Sequence, residues 1–161
     1  MEGNDYAGFD RMALEARDAF VKFWSSWHEA VYRVTGGQLL NRLLGMTVVQ
    51  LTTIGHRTGQ LRTTMLTAPI AKDGMIVLVA SNGGDERDPQ WYRNILACPE
   101  VSITVEGVTQ PMRARVSAGS ERSDLWRRIR DVGPTYHLYQ SRTNRQLPVV
   151  VLEQAGNGAG R

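Results

Sequence analysis

The sequence predicts a mainly β protein with flanking helices: an antiparallel sheet or barrel of about six strands, an N-terminal helix and shorter helices around it. Three observations predict this. Runs of apolar and β-branched residues recur from Thr47 to Leu152. Most are joined by short segments rich in turn residues, such as Lys72-Asp73-Gly74 and Glu106-Gly107, which suits hairpins. The helical patterns do not alternate with the strands as a parallel βαβ sheet requires.

The elements follow in order. Phe9, Ala13, Ala16, Phe20, Phe23, Trp24, Trp27 and Val31 recur near helical spacing, so Asp10 to Val34 reads as a helix that Gly36-Gly37 ends. It either packs on the domain or touches a membrane or an apolar substrate, because Trp and Phe beside basic residues suit an interface. Leu39 to Gly45 is a connector or short helix. Thr47 to Ile54 and Arg62 to Ala71 read as a hairpin, and Met75 to Ser81 as a strand buried on both faces. A glycine-rich loop, Ser81-Asn82-Gly83-Gly84, then leads into a helix with Asp88 as N-cap and Pro89 at the first helical position. The helix stops before Pro99. Val101 to Val105 and Val108 to Ala118 are strands, the second near a sheet edge because it contains Pro111. Ser120 caps a helix that begins with acids and ends with arginines. Gly133-Pro134 breaks it, and a short helix to Ser141 puts Tyr136 and Tyr139 on one face. Leu147 to Leu152 is the last strand. The expected division is an amphipathic helix (1–36), a barrel domain (37–153) and a glycine-rich disordered tail (154–161).

The most informative stretch is the hairpin Leu51 to Thr64, whose loop carries Gly55, His56, Arg57, Thr58, Gly59 and Gln60, followed by Arg62. No Asp or Glu occurs between Glu29 and Asp73, whereas Arg33, Arg42, Arg57, Arg62 and Lys72 do. Two guanidiniums and several hydroxyls suit a phosphate or carboxylate ligand. An ordinary basic hairpin, its arginines paired with acids elsewhere in the fold, is the other reading. Downstream, Ser81, Asn82 and the Gly83-Gly84 amides suit a polar cofactor edge, although neither GxGxxG nor a P-loop lysine is present.

Composition narrows the function. The 161 residues carry a net charge of +3, with 42% hydrophobic and 22% charged residues, ordinary for a single globular domain. The single cysteine, Cys98, offers no disulfide, and His28, His56 and His137 are too scattered for a zinc site. No basic run interleaved with aromatics tracks a nucleic-acid backbone, so no nucleic-acid partner is expected. The acidic start Met1-Glu2-Gly3-Asn4-Asp5 is unlike a secretory signal, and no apolar run approaches the roughly 20 residues of a membrane span, so the cytoplasm is expected. There is no G-x-S-x-G elbow and no locally favoured carboxylate pair. Binding loops without a nucleophile or acid–base machine fit a protein whose cofactor carries the chemistry.

Several linked motifs resemble the actinobacterial deazaflavin-dependent nitroreductase family: Leu51 to Gln60 with Arg62-Thr63-Thr64, Val79 to Gly84, Asp88 to Asn94, Pro99-Glu100-Val101, and Tyr136 to Arg145 with Pro148-Val149-Val150. The resemblance implies a split β-barrel of the FMN-binding-protein type. It implies coenzyme F420 as cofactor and hydride transfer to a quinone, a nitroaromatic or another electron-poor acceptor. By position, Arg57 and Arg62 would hold the cofactor's phosphate or polyglutamate tail, Thr58, Gly59 and Gln60 would shape the same loop, and His56 and Thr64 would join them as cofactor-binding residues; Ser81, Asn82 and Gly83 would line the deazaflavin, with Trp91 and Asn94 close to the ring or tail. Tyr136, Tyr139 and Trp27 would border the substrate, and Ser81 or Tyr136 would position or donate a proton. The resemblance leaves room for a monomer or homodimer, and for membrane contact through the first helix at the inner face of the plasma membrane. His56 stands where the family often has Arg or Lys, Arg57 where Lys is common, and Leu61 where proline is frequent. Gly133 replaces a tyrosine of the nitroimidazole-activating member, which opens the substrate pocket. An FMN- or haem-binding barrel and a non-catalytic F420 or lipid carrier are the alternatives.

Overall fold

A computed structural model describes residues 46–132 and 134–154. The first helix, with Trp27, the connector that follows it, Gly133 and the tail from residue 155 lie outside the described residues. Among the described residues seven strands and three α-helices follow one another in the order β1 (Thr47–Ile54), β2 (Leu61–Ala68), β3 (Ile70–Lys72), β4 (Met75–Val79), α1 (Gln90–Ala97), β5 (Glu100–Val105), β6 (Val108–Val116), α2 (Gly119–Val132), α3 (Pro134–Ser141) and β7 (Val149–Gln154). All strand pairs are antiparallel, in the order β2-β1-β5-β6-β7-β4-β3.

That order forces curvature. β2 and β3 stand at opposite ends of the sheet, yet only Pro69 separates them in sequence. Two peptide units reach about 7 Å at most, so the two ends of the sheet must meet. The sheet is therefore curled into a barrel, and the expected strand Arg62 to Ala71 is one strand bent at Pro69. This is the expected antiparallel split-barrel class, with seven strands because the proline breaks the ladder.

The two tightest hairpins are dictated locally. Lys72 pairs with Met75 and Val105 with Val108, which leaves two-residue loops. Asp73 (φ 54°) and Gly74 (φ 76°) form one, Glu106 (φ 50°) and Gly107 (φ 82°) the other. Both central residues take the left-handed region that a hairpin turn of matching twist demands.

Two apolar clusters hold the fold. Val49, Leu51, Ile76, Leu78, Ile103, Met112, Val150 and Leu152 fill the barrel together with Trp91, Tyr92 and Ile95 of α1. Val77, Val79, Val149 and Val151 point the other way and pack under Leu125, Ile129 and Tyr136 of α2 and α3. β4 and the Val149 to Leu152 part of β7 are thus buried on both faces, which explains their apolar runs.

Four local expectations need correction. β6 lies between β5 and β7 and is no edge strand. Its pairing with β7 starts only at Met112, so Pro111, with no N–H to donate, sits where that side is unpaired. Pro89 is the residue that caps α1, with no side-chain capping bond; Asp88 instead pairs with Arg145 at 2.9 Å. α2 begins at Gly119, which places Ser120 within its first turn. Gln154, assigned to the tail, closes β7 opposite Met112.

Candidate functional site

Two loops carry the candidate chemistry, and α1 joins them. The β1–β2 loop is braced from within. Gly55 N–H donates to the Gln60 carbonyl (2.8 Å), and Gly59 N–H and Thr58 N–H donate to the Gly55 carbonyl (2.8 and 3.1 Å). A side chain at Gly55 would meet Thr58 Oγ1 at 2.9 Å, so the tight loop requires glycine there.

The loop is also held from below. Asn94, buried on α1, accepts from His56 N–H (3.0 Å) and His56 Nδ1 (2.8 Å) through one oxygen. Its Nδ2 donates to buried Thr53 Oγ1 (2.9 Å). Because Oδ1 only accepts, Nδ1 of His56 carries the proton. Arg57 lies exposed on this braced loop and Arg62 exposed at the start of β2; among the described residues neither has an acidic partner, and the Arg62 guanidinium donates to Gln60 Oε1 at 3.3 Å. The ordinary-hairpin reading, in which acids elsewhere neutralise them, finds no such acids among the described residues. Thr58, Gly59 and Gln60 are exposed beside them, and half-buried Thr64 pairs with Leu51.

The glycine-rich loop lies at the other end of α1, about 6 Å along the axis from Asn94 to Gln90. Ser81 is right-handed (φ −76°, ψ −34°), and Asn82, Gly83 and Gly84 take φ of 48°, 66° and 85°. A right-to-left-handed step turns successive N–H groups toward one side and makes an anion-binding concavity. Ser81 Oγ and the N–H groups of Ser81, Asn82 and Gly83 make no hydrogen bond to another described residue. The exposed Asn82 side chain donates to the Arg87 carbonyl at 3.0 Å. Gly84 is buried against α3, where a Cβ would meet the Tyr139 carbonyl at 2.8 Å.

Tyr136 and Tyr139 pack edge-to-face at 6.3 Å. Tyr136 is buried, and its hydroxyl sits 3.1 Å from Thr67 Oγ1. Burial pushes its pKa up, against a smaller lowering effect of the Thr67 hydrogen bond. Half-buried Tyr139 has the Arg142 guanidinium 6.0 Å from its ring centre. Trp91 is a core residue, packed edge-to-face on Tyr92 at 6.2 Å.

The site thus presents exposed guanidiniums at the β1–β2 hairpin and amide and hydroxyl donors on the glycine-rich loop. Residues 24–154 match the profile of the F420H(2)-dependent quinone reductase family. The chain belongs to that family. It is 41% identical over 134 residues to the F420H(2)-dependent quinone reductase of Mycobacterium tuberculosis, which covers 78% of this chain and 86% of that protein. Among solved structures it is similar to an F420-H2 dependent reductase, FDR-A, with 36% identity, a TM-score of 0.60, and coverage of 66% of this chain and 93% of that one. It is equally similar to a structure titled a domain-swapped dimer, with 36% identity, a TM-score of 0.61, and coverage of 66% and 79%.

Within this member of the F420H(2)-dependent quinone reductase family, the structure brings His56 and Asn94 together, and among the described residues Arg57 and Arg62 have no acidic partner and the Ser81 hydroxyl no hydrogen bond. It does not join Ser81 to Tyr136 by any hydrogen bond among the described residues. One residue escaped assignment: Arg145, which grips the glycine-rich loop. Its place in the resembling Tyr136 to Arg145 motif was the only signal of it.

Proposed function

We propose that this protein transfers a hydride from reduced coenzyme F420 to a quinone, with nitroaromatics and other electron-poor rings as further acceptors. The observation that carries the reading is the pair of Arg57 and Arg62 guanidiniums, exposed at the braced β1–β2 hairpin with no acid beside them among the described residues. F420 has an anionic phosphate and polyglutamate tail, and the residues fit it. Fixed guanidiniums bind such groups in a forked geometry, and the amides of Ser81, Asn82 and Gly83, without a partner among the described residues, supply donors for the polar edge of a ring.

When bound, reduced F420 supplies the hydride from its C5 carbon. The chain's own residues bind and orient. Arg57 and Arg62, with Thr58, Gly59, Gln60 and Thr64, hold the anionic tail; His56 and Asn94 keep that loop in place. Ser81, Asn82 and Gly83 hold the ring, and Trp91 supports α1 from the core. Of the two groups expected to handle a proton, Ser81 has the hydroxyl without a hydrogen bond among the described residues. That of Tyr136 is engaged by Thr67 and made less acidic by burial. Tyr136 and Tyr139 shape the acceptor side. No protein nucleophile is required, in keeping with the sequence.

The basic, aromatic composition of residues 9–31 supports contact with the inner face of the plasma membrane, where lipid-soluble quinones reside, with Trp27 toward the acceptor. No helix among the described residues is long and apolar enough to cross a membrane. A monomer or homodimer working in the cytoplasm completes the reading.

The test is fluorescence titration of F420 against the wild type, R57A and R62A, followed by oxidation of reduced F420 with a short-chain quinone. Each substitution is expected to weaken binding about tenfold or more, the worth of a charge-assisted hydrogen bond. Unchanged affinity in both variants would overturn the assignment of the loop.

A further inference from the structure

The glycine-rich loop is shaped from behind by one side chain sixty residues away. Arg145, with only 15% of its side-chain surface exposed, donates four times. Its Nη2 reaches the carbonyls of Ala80 and Ser81, each at 2.9 Å. Its Nε reaches the Asp85 carbonyl at 2.8 Å and its Nη1 the Asp88 carboxylate at 2.9 Å. One rigid fork therefore fixes the start, the middle and the end of the loop.

The consequence follows from peptide geometry. In a trans peptide the C=O and the following N–H point in opposite directions, and no cis peptide occurs among the described residues. Drawing the Ala80 and Ser81 carbonyls onto Nη2 turns the N–H groups of Ser81 and Asn82 away from Arg145, toward one side. These are two of the three amides left without a partner among the described residues. The same hold fixes the backbone from which the Ser81 hydroxyl projects.

We propose that Arg145 is a positioning residue for the reaction: by holding the carbonyls of Ala80 and Ser81 it aims the Ser81 and Asn82 amides and the Ser81 hydroxyl at the cofactor. This rests on the reading of the loop as the ring-binding side. Lysine cannot replace it, because a single ammonium has no planar fork with which to span carbonyls and carboxylate together.

The experiment compares wild type, R145K and R145M. It reads F420 affinity by fluorescence, the amide resonances of residues 80–85 in the ligand-free protein by NMR, and kcat and KM with a fixed quinone. R145K retains the charge beside Asp88 and keeps the fold if R145M does not. In R145K the Ser81 and Asn82 amide resonances are expected to shift, F420 affinity to fall about tenfold, and kcat to fall with the KM for the quinone unchanged. Ile129→Val, in the apolar cluster under α2, serves as a control: it lowers Tm without moving F420 affinity. Lowered Tm with wild-type F420 affinity and wild-type amide resonances in R145K would reduce Arg145 to a structural residue and overturn the proposal. A wild type that does not bind F420 would overturn the functional reading itself, and the proposal with it. A wild type that binds while R145K matches it sinks only the proposal.

Discussion

Replacing Asn94 by alanine removes three hydrogen bonds at once: from His56 N–H (3.0 Å), from His56 Nδ1 (2.8 Å) and to Thr53 Oγ1 (2.9 Å). Asn94 and Thr53 are 4% and 1% exposed, so water does not readily replace the lost partners. Thr53 keeps a bond to the Arg62 carbonyl at 3.4 Å, which limits its loss. At a net value of about 1 kcal/mol for each bond, the variant should lose about 2–3 kcal/mol. For a domain of this size that lowers Tm by roughly 5–10 °C. Urea unfolding with a fixed m-value gives the free energy, and calorimetry gives Tm. A double-mutant cycle with His56→Ala then isolates the coupling between loop and helix, expected at about 1 kcal/mol. A loss below about 0.5 kcal/mol, or a coupling indistinguishable from zero, would refute the claim that Asn94 braces the β1–β2 loop.

Three other outcomes are expected. Gly84→Ala, at φ 85° with the Tyr139 carbonyl 2.8 Å from the new Cβ, should cost about 2–4 kcal/mol, whereas Gly83→Ala, which meets nothing within 4 Å, should cost only the roughly 1–2 kcal/mol of left-handed backbone; equal losses in urea would contradict the close packing of the loop on α3. Tyr136→Phe should cost about 1 kcal/mol at neutral pH by losing its contact with Thr67. Because the folded pKa of Tyr136 is raised above its unfolded value, that advantage is complete below about pH 10 and is lost as pH climbs through the folded value. Chemical denaturation at neutral and strongly alkaline pH should show the gap between wild type and variant closing. Glu121 is held below the usual carboxylate range, first by its hydrogen bond to Arg115. Its contribution is therefore present above the unfolded pKa of about 4.3 and disappears as pH falls through the lower folded value. With 44% of its side chain exposed, Glu121→Gln should lose no more than about 1 kcal/mol at pH 7, and a loss that persists at pH 2 would argue against the ion pair.

Local rules made much of this fold legible. Asp73-Gly74 and Glu106-Gly107 declare their turns because two consecutive positive φ values favour such residues. The unbroken apolar run of β4 announces burial on both faces. What stayed hidden depends on contacts between distant residues. Pro111 signals an unpaired N–H side, but whether β6 is central depends on where β7 returns. Asp88-Pro89 has the composition of a helix cap, yet Arg145 takes the carboxylate from a position 57 residues away. In the site, the cationic loop was readable from one-sided charge. The resemblance placed Asn94 beside the cofactor, and only the packing of α1 under β1 shows it holding the loop. The first helix, its role and Trp27 fall outside the described residues.

The placement of β7 bears on how the molecule comes into being. This six-residue strand, Val149–Gln154, is the last described element, yet it lies between β6 and β4. During synthesis every other strand of the sheet is made before it. Until it arrives, β4 and β6 each present a row of unpaired N–H and C=O groups along valine-rich or extended backbone, the kind of edge that recruits strands from neighbouring chains. Premature termination before Val149 would therefore leave an aggregation-prone chain, and a peptide spanning residues 149–154 supplied in trans would be the strand that such a truncated product lacks.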